Sequence, residues 1–416
     1  FYNQNLEVNS QSYNLNPYTS GYLDLQVTQN LLYGFSPAVN GRNIRVQKNN
    51  MRISDLQFRS QVSTTISAVL NLYWDLVSFN EDQRARQREV DSAERLLQNN
   101  VKQVEAGSLA PIEVTRAEAQ VYASRQDLLI SQTNLLQQET VLKNALSRNR
   151  VANLELSQVH IIPLDRIEIP QADNISPIED LVQEALAKRT DIAQSRVNIE
   201  SEKVNLVGVK NALKPTLQVF GEVTNNGLTG MISTLGELNP AVAYLGGGYG
   251  NLLAQIFRRN YPNYAIGLSF NIPLRNRAAQ SDYVTSTLEL RQSELGLQQN
   301  MNQVRVDVQN AVVGLQQARA RYFAADKARV LQQQTLDGDQ KKLELGASTA
   351  YQLVQDQQTL AAAESTEVQA LANYSHARIA FDQAMGRTIE SNHISVEEAL
   401  TGHVAQPPST PPGDQQ

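Results

Sequence analysis

The chain contains no cysteine, which removes disulfides, thiolate metal sites and a cysteine nucleophile together. That absence fits an oxidising compartment without establishing one. Aromatic residues are 6% of the 416, few for a thick globular core but enough for long helices that meet along narrow seams. No run of 18 apolar residues occurs, so no transmembrane helix is expected. The histidines His160, His376, His393 and His403 are scattered, without metal-ligand spacing. Gly246-Gly247-Gly248 and Gly250 lack the Lys-Ser/Thr of a phosphate loop and are not expected to join a strand to a helix. Net charge is −6 with no long basic run, which speaks against nucleic acid as a partner. No enzyme, metal or cofactor is expected.

What the sequence does contain is a stop between two long helical patterns. Gly107 ends one of them, and Pro111-Ile112-Glu113-Val114 starts the next. Into the stop runs a pattern from about Arg42 to Ala106. Val62, Ile66, Val69, Tyr73 and Leu76, then Val90, Ala93, Leu97, Val101 and Val104, step by three and four. That spacing predicts a coiled-coil seam, and about 65 residues at 1.5 Å each reach roughly 100 Å. Val121, Leu128, Leu135 and Leu142 recur every seven residues, so the departing helix, to about Arg148, packs antiparallel on its predecessor. Tyr73 and Trp74 fall on the seam and read as packing residues.

The stop recurs 239 positions later, at Leu345-Gly346-Ala347-Ser348 with Tyr351-Gln352-Leu353. Gly107/Gly346, Val114/Leu353, Val121/Leu360, Leu142/Phe381 and Leu146/Met385 stay in step, which reads as an internal duplication. Alternating strands precede each long helix. Leu23, Leu25 and Val27 oppose Asp24, Gln26 and Thr28, while Leu217, Val219 and Val223 alternate with Gln218 and Glu222, Phe220 being an exception. Tyr264, Ile266, Leu268, Phe270 and Ile272 alternate with polar or small residues up to Pro273. Such strands suit a barrel wall between lipid and water or a sheet over a soluble core. Coupling to helices of this length favours the barrel. Four strands cannot close one, and an open edge cannot sit in lipid, so several chains must share it.

The expected organisation is a first strand pair over 1–35, a helical hairpin over 36–148, a linker over 149–177 and helices over 178–214. A second strand pair with an outer loop follows over 215–274, then a second hairpin over 275–386 and a disordered tail over 387–416. A helix precedes the second strand pair and none precedes the first. A matching N-terminal helix and much of the first strand are therefore expected to be missing.

Taken together, these residues resemble the TolC-type outer-membrane efflux proteins (outer membrane factors), the exit ducts of bacterial tripartite pumps and type I secretion systems. The likeness rests on the junction Gln29-Asn30-Leu31-Leu32-Tyr33-Gly34-Phe35 and the tip Glu105-Ala106-Gly107-Ser108 with Glu113-Val114. Arg189-Thr190-Asp191-Ile192, opening a helix that ends at Lys214-Pro215, and Leu345-Gly346-Ala347-Ser348 with Gln352-Leu353 complete it. It implies an α+β membrane protein in which long antiparallel coiled-coil helices form an α-barrel across the periplasm. Four strands per chain would contribute to a trimeric 12-strand β-barrel in the outer membrane, with 149–177 and the C-terminal segment as an equatorial belt. The implied partners are two further copies in a homotrimer, a periplasmic adaptor protein, an inner-membrane transporter and outer-membrane lipid.

The resemblance also places functional residues. Gly107, Ser108 and Leu109, with Gly346, Ala347 and Ser348, become adaptor-docking tips, where small residues let a partner helix approach. The plainer reading gives Gly107 and Gly346 a left-handed turn position, and both readings can hold. The family often carries acids lining an inner gate one turn past the tip. Glu113 falls there, Gln352 and Gln355 are its counterparts, and Asp356 is adjacent but out of register. Ser348 stands where an Arg can tie closed tips together, so the gate expected is Glu113 with amides, binding cations more weakly than a double acidic ring. Two rival readings are a periplasmic adaptor, which usually has one hairpin between half-lipoyl segments, and a soluble coiled-coil scaffold. Two hairpins with two strand pairs argue against the first, and the clean alternation of Tyr264 to Ile272 against the second.

Overall fold

The strand alternation becomes one antiparallel sheet in a computed structural model of the chain, which describes residues 2–5, 14–147, 159–165, 167, 169–170, 175–233, 240–345 and 347–402. The strands β1 Tyr2–Asn5, β2 Leu15–Asn30, β3 Thr216–Ile232 and β4 Tyr261–Asn271 lie in the order β1-β2-β3-β4. The helices are α1 Pro37–Asn40, α2 Arg42–Glu105, α3 Ile112–Leu146, α4 Ile178–Lys188, α5 Thr190–Asn211 and α6 Tyr249–Phe257. They continue with α7 Arg277–Glu344, α8 Ala350–Met385, α9 Thr388–Ser391 and α10 Val396–Thr401. The chain divides into two units, Phe1–Met51 with Asn198–Glu294 and Arg52–Val197 with Leu295–Gln416. Among the described residues no helix is long and apolar enough to cross a membrane.

In the first unit the register sorts side chains by chemistry. Leu25, Val223 and Tyr264 share one row, and Val27, Gly221 and Ile266 the next. Val219 with Leu268 and Leu217 with Phe270 continue the same face. It is uncovered, with Ile266 87% and Leu268 71% exposed. The opposite face carries Asp24 beside Thr224 and Gln26 beside Glu222, and Thr224 Oγ1 bonds Asp24 at 3.0 Å and Glu222 at 3.1 Å. Phe220 breaks that polar pattern because its row holds Gly267. A Cβ at Gly267 would meet the Phe220 ring at 2.6 Å, so the ring lies where a side chain is lacking and shields the backbone.

The strands are longer than their alternation predicts. β2 starts at Leu15, well before the alternation that begins at Leu23, and β3 runs past Val223 through Asn225-Asn226-Gly227-Leu228-Thr229-Gly230 to Ile232, into the part of 215–274 where the outer loop is expected. That loop also holds a 3₁₀ turn, Pro240–Leu245, and α6, with Gly248 at its N-cap. Contrary to expectation, Gly246-Gly247-Gly248 therefore leads into a helix. Past Asn226 no β4 residue flanks β3, and α6 fills the vacancy. Gln255 is fully buried, accepting from the Leu228 N–H at 3.1 Å and donating to the Leu228 carbonyl at 2.9 Å. Its amide does what a neighbouring strand's peptide would do. Leu252 and Ile256 fill the space over Gly227, where a Cβ would meet them at 2.9 and 3.1 Å.

The junction from β2 to α1 turns at Gly34, which takes φ +78°. Its N–H donates to Asn211 Oδ1 at 2.7 Å, and Asn40 Nδ2 donates to its carbonyl at 2.8 Å. This ties the end of α5 to the start of the long helix, and buried Asn49 adds a bond to Ser201 at 3.1 Å.

In the second unit α2 and α3 pack through a seam more polar than the heptads predict. Val90 and Ala93 are buried, but Asn100 then replaces Val101, which is 36% exposed, while Leu96 packs on Leu336 and Leu353 of the second hairpin. The drift follows from a 3.6-residue helical turn running past a 3.5-residue repeat. It is held by polar bonds, with Ser131 Oγ on Asp82 at 2.7 Å and Gln138 Nε2 on the Leu72 carbonyl at 2.9 Å. Tyr73 carries a bond as well as packing. Its hydroxyl donates to Asp165, and burial, then Asp165, push its pKa up to about 12.

A separate core gathers Leu181 and Ala185 of α4, Ile192 of α5, Val304, Val308 and Val312 of α7, and Tyr374, Phe381 and Met385 of α8. Arg189 fastens it, bonding Asp307 at 2.9 Å and Asp191 at 2.7 Å. Gly386 ends α8 at φ +70°. A Cβ there would meet the Arg189 backbone at 3.2 Å. The chain then continues into α9 and α10, with Thr388 only 1% exposed, so 387–402 is folded rather than the disordered tail expected. Pro407 to Pro412 and His403 lie outside the described residues, as does most of 149–177.

Candidate functional site at the hairpin tips

Helix α2 stops because Gly107 takes φ +74°. Its N–H donates to Val104 O and that of Ser108 to Gln103 O, both at 2.9 Å, the paired bonds of a left-handed helix terminus. Ser108 Oγ bonds Gln103 O again at 3.0 Å. A Cβ on Gly107 would meet nothing within 4 Å, so glycine serves the backbone conformation there rather than space. Ser108 is exposed and Leu109 half-buried.

At the second tip the Ala347 N–H donates to Lys342 O at 2.8 Å. This is the Ser108–Gln103 bond repeated 239 positions on. Gly346 lies outside the described residues; Ala347 is exposed and Ser348 half-buried. Thr349 caps α8, its Oγ1 accepting from the Gln352 N–H at 3.2 Å. α3 has Pro111 at that position and no side-chain cap.

The structure separates the four gate candidates. Glu113 bonds Arg116 at 2.6 Å, one turn along α3. Its carbonyl accepts from buried Asn100 at 3.3 Å, linking α3 back to α2. Gln352 and Gln355 are exposed on α8. Asp356 is not, at 5% exposure, and so is withdrawn from any surface that α8 presents.

Asp356 instead faces Asp339 of α7, which sequence reasoning missed. Gln352 Nε2 donates to Asp356 Oδ1 at 3.0 Å, and Lys342 Nζ to Asp339 Oδ1 at 2.5 Å. Asp356 Oδ2 is buried with no donor, the place that a proton shared with Asp339 would fill. Burial, then the bond to Asp339, raise the pKa of Asp356. Bonds from Lys342 and from Asp356 hold that of Asp339 down. Nothing in spacing reveals such a pair, because it forms only once the α7–α8 register is set.

The tips also expose large apolar side chains that periodicity marks no differently from core positions. Leu345 is 84% exposed, Tyr351 57% and Ile112 54%. Arg116 lies over the Tyr351 ring at 5.7 Å, joining α3 to α8. Deeper along the hairpins, α8 bonds both helices of the first, Gln357 to Ser92 at 3.1 Å and Gln358 to Gln120 at 2.6 Å. Among the described residues no group of three His, Asp or Glu side chains could hold a metal ion.

Residues 2–148 and 181–387 match the family described as outer membrane efflux protein. The pyoverdine export outer membrane protein OpmQ of Pseudomonas aeruginosa is 22% identical over 330 residues, 78% of this chain. The chain spans 61% of the length of that relative. Among solved structures, the CmeC outer membrane channel of Campylobacter jejuni is similar with a TM-score of 0.66 at 14% identity, covering 97% of this chain and 79% of that one. The outer membrane protein VceC of Vibrio cholerae gives 0.65 at 14%, covering 93% and 85%. At such identities the likeness is one of fold.

Proposed function

We propose, since this chain belongs to the outer membrane efflux protein family, that it is an outer-membrane exit duct of a tripartite efflux or type I secretion system. The observation that carries this is the sheet. The rows of one face from Leu25 and Tyr264 to Phe270 are predominantly apolar and leave the β4 side chains bare, and the outer edges of β1 and β4 carry no further strand among the described residues. Apolar rows of this kind suit lipid, but open edges do not. Three chains with four strands each close a 12-strand barrel and satisfy both demands. The helices have a matching need, since Leu129, Ile130 and Leu136 of α3 are 64%, 50% and 52% exposed, apolar surface for neighbouring protomers to cover.

In this reading the channel is passive, spans the outer membrane and extends into the periplasm. It opens at the hairpin tips when a periplasmic adaptor and an inner-membrane transporter dock. Ser108, Ala347 and the bare Leu345 and Ile112 offer the docking surface, and Glu113, Gln352 and Gln355 line the gate. The two hairpins are copies of one another, a reading supported by the equivalent bonds Ser108–Gln103 and Ala347–Lys342. Extraction tests the proposal: the chain should leave membranes only with detergent and run in native mass spectrometry as a trimer. Recovery as a soluble monomer would favour the scaffold reading and end this one.

A further inference from the structure

Helix α6 is not used by the duct itself, and its position raises a separate question. Asn225, Gly227 and Thr229 share a face of β3 with Val219, Gly221 and Val223. Leu252 and Ile256 of α6 lie where a Cβ on Gly227 would point, so the helix stands on the apolar side of the sheet, just past the end of the apolar rows. From the row of Phe270 to that of Pro262 the strand rises about 27 Å at 3.4 Å per residue, close to the roughly 25 Å apolar band of an outer-membrane barrel. The opposite strand ends feed α1 and α7, so α6 marks the outer end of that band. The helix carries no charge, buries Leu252, Gln255 and Ile256, and leaves Tyr249 56% and Phe257 73% exposed.

At its end stand Arg258 and Arg259, both exposed and without an ion-pair partner among the described residues. Arg259 takes φ +58°. It occupies the left-handed position of a helix terminus closed by Arg259 N–H to Ile256 O at 3.3 Å and Asn260 N–H to Gln255 O at 3.2 Å. Glycine fits that position without strain. A favourable interaction with the helix dipole explains Arg258, but it does not explain a second arginine placed where its backbone is strained. Strain kept at a named residue points to a role for its side chain.

We propose that Arg258 and Arg259, with Phe257 beside them and Tyr249 at the far end of α6, bind the phosphate-bearing headgroup of an outer-leaflet lipid. The inference rests on the barrel reading above. Guanidinium groups take phosphate oxygens in a bidentate fork, and the flanking aromatics suit the boundary between acyl chains and headgroups. The site therefore needs the phosphate, not merely the acyl chains.

The test uses the full chain in detergent, titrated with bisphosphorylated lipid A and with the same lipid dephosphorylated, read by native mass spectrometry. Wild type should hold the phosphorylated form at least about tenfold more tightly, and Arg258→Gln/Arg259→Gln should lose that preference. Arg259→Gly separates this role from a structural one. It relieves the backbone strain, so α6 should exchange its amides no faster than wild type while lipid affinity falls. Equal binding of both lipids, or an unchanged preference in the double variant, overturns the proposal. Insertion and conductance in bilayers stay intact in that event, whereas failure of the barrel reading would abolish them.

Discussion

Replacing Gln255 by Leu isolates what holds α6 on the sheet. The side chain is fully buried and supplies both partners of Leu228, at 3.1 and 2.9 Å. Leucine nearly fills its volume but neither donates nor accepts. If α6 stayed in place, two buried backbone groups would be orphaned, at about 1–3 kcal/mol each, or about 2–6 kcal/mol together. If α6 lifted away, water would reach Leu228 but Leu252 and Ile256 would lose their burial, at about 1.5–3 kcal/mol each. The two costs are comparable, so the variant should divide between docked and open states where wild type is docked. Hydrogen exchange reads this directly. Protection across 249–257 should fall at least about tenfold, equivalent to about 1.4 kcal/mol, while 216–226, which β2 and β4 flank, stays protected. Unchanged protection of α6 would refute the claim that one side-chain amide replaces the missing strand.

Gly107→Ala places a β-carbon in open space but at φ +74°. The loss should therefore be purely conformational, about 1–2 kcal/mol, visible as faster exchange at 103–109 and reduced by Gly107→Asn. At the second tip the raised pKa of Asp356 sets the sign of a pH effect. Its contribution is complete below its unfolded value of about 3.9 and is lost as pH rises through the folded one. Asp339, whose pKa is lowered, acts in the opposite sense, so the pair is tightest between its two values, where it holds one proton. Asp356→Asn keeps the bonds without titrating, and exchange at 340–356 should become nearly independent of pH across that window; a pH slope equal to wild type would sink the shared proton. Glu113→Ala should weaken block of conductance by added multivalent cations, and an unaltered block would remove Glu113 from the gate.

Legibility in the sequence follows how local each cause is. The alternation of Tyr264 to Ile272 and the helix stop at Gly107 are decided within a few residues, by side-chain parity and by one φ angle, and both could be read. The end of β3 could not, because Asn225 to Gly230 has poor strand propensity and is held from outside by Gln255. The spacing of three and four marks buried residues of α2 at Leu76, Val90 and Ala93. Beyond Ala93 the seam passes to Asn100, whose bond to the Glu113 carbonyl stands where the spacing expects the apolar contact of Val101. The helix stop at the first tip is legible in spacing, whereas the Asp339–Asp356 pair is not. Spacing places Asp356 beside the gate positions Gln352 and Gln355, but its burial against Asp339 depends on a hairpin register that spacing does not encode.

The central claim is that three copies of this chain close a barrel through lipid. Purified protein reconstituted into a planar bilayer measures it most directly. The account predicts discrete conductance steps from a species whose mass is that of three chains. Absence of any steps from protein shown to be that trimer, or steps from a single chain, would contradict it.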